Sequence, residues 1–445
     1  MIKTLDLTDV GPVRDLNLSL SNRLNVITGD NGLGKSFVLE VAWWALTGNW
    51  PRDRQAYPYR PVSRELTHPL IHATWLTKGS AVCELSATYD RVRQTWSRSV
   101  QHPGMPSGRL QPAKDPIVLY VRSDNSYALH DPAQPDPTLV LTEAELWNGR
   151  RQRRSDAPGE DVSIAGLLSD LVLWQARTGH DLPLFTAVLK QLSPPGEELT
   201  LAEPVRVDLK DKRDIPALQV GDQLTAVTLA SAGVRRTLSI AYALTWLWIQ
   251  HGVATSSQGR KATREVVVLL DEVELHLHPS WQRRMLPALL SAAQTLTDQA
   301  DVQVVATTHS PLVLASVEPM LDDDLDDLFV LERDGGLVRG TELPFSPQGQ
   351  AGSWLASRAF GGLSDRSIEA QLAVDAAMDL MADRRTSASH KLDRLSEQLA
   401  ALPRGRPLSG AAELEERCHQ ALGRTLPDHD GFWSRWIRTW DRTRA

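Results

Sequence analysis

The 445-residue sequence predicts an α/β fold: a mixed β-sheet carrying a phosphate-binding loop, with a helical insertion region and a C-terminal helical extension. Three observations lead there. A glycine-rich loop, Gly29–Ser36, lies between an apolar run and a helix-forming segment. A second apolar run far downstream, Val266–Leu270, ends in the acidic pair Asp271-Glu272. From Ser364 onward apolar residues recur at helical spacing, through Ile368, Leu372, Ala376 and Leu380.

Taken in order, residues 2–20 read as alternating strands. Leu24–Thr28 reads as a buried strand, and Ser36–Leu46 as a helix that Gly48 ends. Residues 73–100 have β character, 101–116 form a Pro/Gly/Ser break, and Ile117–Val121 is a further strand. From about 139 to 220 the chain turns polar and Pro-rich around helices such as 162–177. A long buried helix follows over residues 237–250. Val266–Leu270 and the run from Asp301 to Thr307 read as central parallel strands, and residues 328–339 as a hairpin on Asp334-Gly335 or Gly335-Gly336. The expected domains are 1–345, with a nucleotide lobe from about 1–130 and 260–345 around an insertion and signature-helix region at 131–259. A helical domain at 346–445 then offers a partner-docking surface.

Composition narrows the class. A length of 445 residues supports two or three domains, and 42% hydrophobic with 23% charged residues is a globular balance. The 48 basic against 55 acidic residues give a net charge of −7, which argues against a generally basic nucleic-acid coat but not against a local patch. Cys83 and Cys418 are far apart and match no disulfide or zinc pattern, so the expected compartment is the reducing cytoplasm. No apolar run approaches the roughly 20 residues of a membrane span.

The loop Gly29-Asp30-Asn31-Gly32-Leu33-Gly34-Lys35-Ser36 fits the spacing G-x-x-x-x-G-K-S. Its glycines let backbone N–H groups converge on phosphate oxygens, Lys35 reaches the β- and γ-phosphates, and Ser36 can ligate Mg²⁺. The following helix adds its positive dipole end. Asp271 and Glu272, delivered to the C-terminal edge of a parallel strand, suit a metal-holding carboxylate and a base for the attacking water. His309, after the next strand in Thr307-Thr308-His309-Ser310-Pro311, is placed to sense the γ-phosphate. Ser231-Ala232-Gly233 before a long helix offers an N-cap and an anion-binding helix start. No Asn-Lys-x-Asp guanine motif is present, so the nucleotide expected is ATP.

In the order Gly29–Ser36, Ser231–Arg236, Asp271–Glu272 and Thr307–His309 these motifs resemble the ABC-type ATPases of the RecF/SMC/OLD-like branch. Asp271-Glu272-Val273-Glu274-Leu275-His276-Leu277-His278-Pro279 is particularly close to that branch. The matched segments cover the first 50 residues or so and most of 225–345. The resemblance implies a head-to-tail homodimer in which Ser231 and Gly233 of one copy close on the triphosphate held by the other. It also implies Mg²⁺ on Ser36 and Asp271, and catalytic roles for Lys35, Glu272 and His309. Two departures stand out: the signature lacks the second glycine of Leu-Ser-Gly-Gly-Gln, and neither a Q-loop glutamine nor an adenine platform is assignable. His276 and His278 could pair on a metal if they lay on a strand; within this motif they are expected to shape the inter-subunit loop instead.

Among the remaining motifs, Asp322-Asp323-Asp324 and Asp326-Asp327 read as an acidic turn rather than a Toprim-type metal site. Arg150-Arg151-Gln152-Arg153-Arg154 is a solvated loop or a nucleic-acid contact. The tail puts Trp433, Trp436 and Trp440 on one helix face, and its Leu426–Trp433 segment resembles the Septu anti-phage ATPases, which pair with a separately encoded HNH nuclease. The function expected is therefore an ATPase regulating such an effector in anti-phage defence. Its alternatives are a DNA-repair or chromosome-maintenance ATPase that binds DNA directly, and an energising subunit of a transporter.

Overall fold

The structure, a computed structural model, describes residues 1–364 apart from 53, 62–65, 78–80, 102–115, 154–159, 195, 221, 297–299 and 336. The helical pattern through Ile368 and the tryptophan-bearing tail lie outside the described residues. Met1–Gly361 cluster as one compact unit, past the boundary expected after residue 345. The added stretch is fastened to the sheet: Trp354 is buried, and the Ala359 carbonyl accepts a hydrogen bond from Thr28 Oγ1 at 2.9 Å.

The chain opens with a hairpin, β1 (Ile2–Val10) and β2 (Val13–Ser19), and then β3 (Leu24–Gly29) and α1 (Lys35–Thr47). Strands β4 (Leu70–Thr77), β5 (Ala81–Asp90) and β6 (Thr95–Gln101) complete an antiparallel sheet of order β2-β1-β4-β5-β6. Next come β7 (Ile117–Val121), β8 (Tyr127–His130), β9 (Thr138–Leu141) and α2 (Glu143–Asn148). The insertion holds the pair β10 (Arg150–Arg153) and β11 (Glu160–Ile164), helices α3 (Leu167–Ala176) and α4 (Asp181–Leu192), and a three-stranded sheet of β12 (Thr200–Val205), β13 (Ile215–Val220) and β14 (Gln223–Ala226). Helix α5 (Ala232–Ser257) leads into β15 (Glu265–Leu270), α6 (Pro279–Gln282) and α7 (Met285–Thr295). The unit closes with β16 (Asp301–Thr307), α8 (Pro311–Val317), β17 (Asp326–Asp334), β18 (Leu337–Leu343) and α9 (Ala351–Leu355).

The main sheet runs β18-β17-β3-β16-β15-β7-β8-β9. Its five middle strands, from β17 to β7, are parallel, and antiparallel neighbours flank them at both ends. Buried on both faces, these strands favour apolar residues at most positions, which is why Val266–Leu270 in β15 reads without alternation. The pleat then divides them. Val266, Val268 and Leu270 join the core under α3, α4, α5 and α7, whereas Val267 and Leu269 join the core around α1 and the antiparallel sheet. Each fully buried Val or Leu contributes roughly 1.5–3 kcal/mol, so both faces hold the sheet in one register.

Several sequence expectations need correction. Residues 162–164 belong to β11, and the helix expected from 162 starts at Leu167. Gly166, at φ 90, makes the break, with no room for a Cβ against the Gly149 amide. The basic run from Arg150 is strand β10 rather than a loop, and the Arg150 guanidinium donates to the Val140 carbonyl at 2.9 Å. The sheet β12–β14 had not been expected in the polar stretch. The signature helix is longer at both ends than 237–250. His276 and His278 lie in the turn and N-cap ahead of α6, not on a strand. His276 meets Asn125 and His278 meets Ser280, so each ring has its own partner. The β17–β18 hairpin pairs Asp334 with Leu337 across its turn. The acidic turn before it anchors the sheet: Asp326 accepts both Arg23 Nε and Nη2.

Candidate functional site

Parallel register brings the C-terminal ends of β3, β16, β15 and β7 to one edge of the sheet. The loop Gly29–Gly34 leaves β3 there and enters α1 at Lys35. Gly29 has φ 133, and a Cβ on it would lie 2.3 Å from the Leu331 carbonyl oxygen, so only glycine fits. Gly34 caps the helix at φ 91, with Pro12 2.8 Å from where its Cβ would be. Gly32 (φ 77) has nothing within 4 Å, which leaves the loop open on that side. Asp30 and Asn31 are exposed at the loop's crown, and Leu33 is buried beneath it.

Lys35 is 5% exposed, and its ammonium donates to the carbonyls of Gly29 at 2.7 Å and Asp30 at 2.8 Å. Burial lowers its pKa to about 8, against the opposing pull of Asp271 and Glu272. Ser36 Oγ donates to Asp271 Oδ1 at 3.0 Å. The same carboxylate oxygen accepts from Thr307 Oγ1 at 2.7 Å. Thr307 Oγ1 in turn accepts the Glu272 amide at 2.9 Å. Glu272 is a non-glycine residue at φ 51, and burial, with Asp271 and Glu274 adding to it, raises its carboxyl pKa. Glu274 spans the next strand end, accepting Thr308 Oγ1 at 2.7 Å and the His309 amide at 2.6 Å. Burial, then the Lys35 charge, lowers the pKa of His309, which favours a neutral ring.

The structure thus gathers Lys35, Ser36, Asp271, Glu272 and His309 at one edge. Ser231 and Gly233 are placed otherwise. Ser231 caps α5 by accepting the Val234 amide at 3.4 Å, and it is exposed. Gly233 lies against the His276 backbone, where a Cβ would come 2.8 Å from the carbonyl oxygen. Among the described residues no hydrogen bond joins Ser231 to the phosphate loop. Sequence reasoning missed Thr307 as the link between Asp271 and Glu272, Glu274 as the clamp on His309, and Asn125 in the turn after β7. The clue for Thr307 was its place as the last residue of a buried strand beside the acidic one.

An AAA domain matches residues 4–110, and an AAA domain described as a putative AbiEii toxin of a Type IV TA system matches 205–315. With the site's geometry, these matches mark the chain as an ATPase built on AAA-type domain segments. Septu protein PtuA of Bacillus thuringiensis is 24% identical over 345 residues, 73% of this chain and 77% of that protein. The Retron Ec83 probable ATPase of Escherichia coli is 40% identical over 52 residues; these are 12% of this chain and span only 8% of that relative's length. An SMC head bound to the C-winged helix domain of ScpA aligns at TM-score 0.47 and 12% identity, over 78% of this chain and 98% of that one. The SMC head domain from Thermotoga maritima aligns at 0.41 and 12%, over 77% and 99%. Among the described residues no helix is long and apolar enough to cross a membrane.

Proposed function

We propose that the chain hydrolyses ATP in a head-to-tail homodimer and regulates a separately encoded effector, an HNH-type nuclease, in anti-phage defence. The observation that carries the hydrolytic half is the Ser36–Asp271–Thr307 chain of hydrogen bonds beside Lys35 and Glu272. Two oxygen donors of hard character, a hydroxyl and a carboxylate 3.0 Å apart at the end of the phosphate loop, suit Mg²⁺. Ser36 and Asp271 would hold the ion, which would supply charge neutralisation on the triphosphate. Lys35 releases the loop carbonyls to meet the same charge, and the amides of residues 30–36 cradle the phosphates. Glu272, with its raised pKa, takes a proton from the attacking water, while neutral His309 orients on the γ-phosphate.

Support for the dimer comes from the signature. Ser231 and Ala232 are exposed at the start of a 26-residue helix, and Leu229 (68% exposed) and Leu224 (59% exposed) stand just ahead of it. A second copy covers this face and brings Ser231 and Gly233 to its own bound triphosphate. The likeness to Septu protein PtuA along most of the chain supports the defence role and, with it, a cytoplasmic setting. Mixing Ser231→Arg with Lys35→Ala tests the arrangement. Heterodimers keep one intact composite site and regain part of the activity that either variant lacks alone. Silence in every mixture, with normal hydrolysis by monomers, contradicts it. Affinity capture of the native protein should recover the nuclease, and deletion from Leu426 onward should lose it; retention after deletion removes the tail from docking.

A further inference from the structure

Adjacent arginines at the start of α5 take opposite directions. Arg235 donates to Glu143 at 2.8 Å and lies over the Trp147 ring, with 4.9 Å to its centroid, on the insertion side. Arg236 turns inward and is 2% exposed. Its Nη2 donates to the Asp271 carbonyl at 3.0 Å and to the Glu272 carbonyl at 3.1 Å, and its Nη1 to Asn125 Oδ1 at 3.1 Å. Its Nε has no hydrogen-bond partner among the described residues. A buried guanidinium is costly to keep dry, so its retention here needs a reason beyond packing.

The two carbonyls belong to the two peptide planes that flank the Glu272 Cα. The first plane also carries the Glu272 N–H, held by Thr307 Oγ1. Both planes are therefore pinned from outside the turn, and together they fix a φ of 51, a backbone state that a glutamate seldom adopts. The direction of the Cα–Cβ bond follows from those planes, and with it the place of the carboxylate. Asn125, itself at φ 59, supplies the acceptor that orients the guanidinium, and its Nδ2 lies 3.3 Å from His276 Nε2.

We infer that Arg236 is the positioning residue for hydrolysis: from the signature helix it holds the strained Asp271-Glu272 turn so that Glu272 faces the attacking water. The inference rests on the assignment of Glu272 as the base. Arg236 reaches Glu272 through the Asp271 and Glu272 carbonyls rather than through its carboxylate. A lysine carries one compact ammonium and cannot span both carbonyls and Asn125 together.

The test compares Arg236→Lys, Glu272→Gln and the double variant in full-length protein, with ATP affinity, single-turnover rate and melting temperature measured for each. Arg236→Lys should bind ATP within about threefold of the parent while hydrolysing it about 10- to 100-fold more slowly, the scale of a displaced catalytic group. In the Glu272→Gln background the same change should slow the reaction little further, because its target is already disabled. Parental turnover by Arg236→Lys, or losses that multiply in the double variant, would overturn the inference. Should Arg236→Lys fail to fold, Asn125→Ala, which frees the guanidinium, should show the same pattern of retained binding, slower hydrolysis and non-additivity, and parental turnover by it overturns the inference equally. Parental turnover by Glu272→Gln alone would instead remove Glu272 from the base role.

Discussion

Ser36 Oγ and Asp271 Oδ1 lie 3.0 Å apart although 235 residues separate them in sequence. One sits on the first turn of α1 and the other at the end of β15, two strands from β3 in the sheet. This contact closes the glycine-rich loop onto the acidic strand.

If Lys35 meets the triphosphate as proposed, ATP binding should be sensitive to pH. The pKa of Lys35 is about 8 because burial strips water from the ammonium. Below that value it is charged and ready to meet the triphosphate; above it the bound state must first take up a proton. Affinity should therefore be flat from pH 6.5 to 7.5 and weaken by up to about tenfold per unit above pH 8. Titration calorimetry at pH 7.0 and 9.0 in two buffers of different ionisation enthalpy reads both the loss and the proton uptake. Equal affinities with no uptake would contradict it.

Thr307→Val keeps the size of the side chain but removes the hydroxyl shared by Asp271 and the Glu272 amide. Hydrolysis should fall about 100-fold, the cost of a misplaced catalytic group, and Thr307→Ser should restore most of it. The kcat of the pair, with ATP affinity measured separately, decides. A valine variant as active as the parent would show that the hydroxyl is incidental.

Gly233→Ala puts a methyl group 2.8 Å from the His276 carbonyl oxygen. Backbone yields less readily than a flexible side chain, so the overpacking should cost about 1–3 kcal/mol and move the start of α5 off the Asp271–His276 turn. Urea unfolding should record the loss, with hydrolysis reduced and ATP binding at the phosphate loop kept. A variant as stable and as active as the parent would mean that the junction is looser than the contact indicates.

Asp326→Asn isolates stability from chemistry. The Asp326 side chain is 1% exposed and holds Arg23, which is 28% exposed, through two nitrogens. Breaking such a pair from one side costs about 3 kcal/mol, toward the low end because Arg23 still reaches water. Urea unfolding should shift by that amount, with turnover per folded molecule unchanged.

The phosphate loop, the acidic strand and the parallel core were legible because each is written in consecutive residues: Gly29–Ser36 in glycine spacing, Val266–Leu270 in an unbroken apolar run. The insertion was harder. Strands β12 and β13 are short and carry Pro204 and Pro216, and β12 is half-exposed, so their pattern passed for loop. The braces of the site were hidden for another reason: Arg236 meets Asn125 across 111 residues and Glu274 meets Thr308 across 34, contacts that no local pattern encodes. One trace was present. Arg236 stands on the same helical stripe as Ile240, Ala243 and Leu247, and a charge on a buried stripe implies a partner across it.

Hydrolysis of bound ATP by Glu272→Gln in a single turnover, beside the parent, tests most directly that this edge of the sheet is the catalytic site. The variant should bind ATP within a few-fold of the parent and cleave it about 10²–10⁴-fold more slowly, the usual contribution of a general base. Cleavage at the parental rate, with binding intact, would show that water is activated elsewhere.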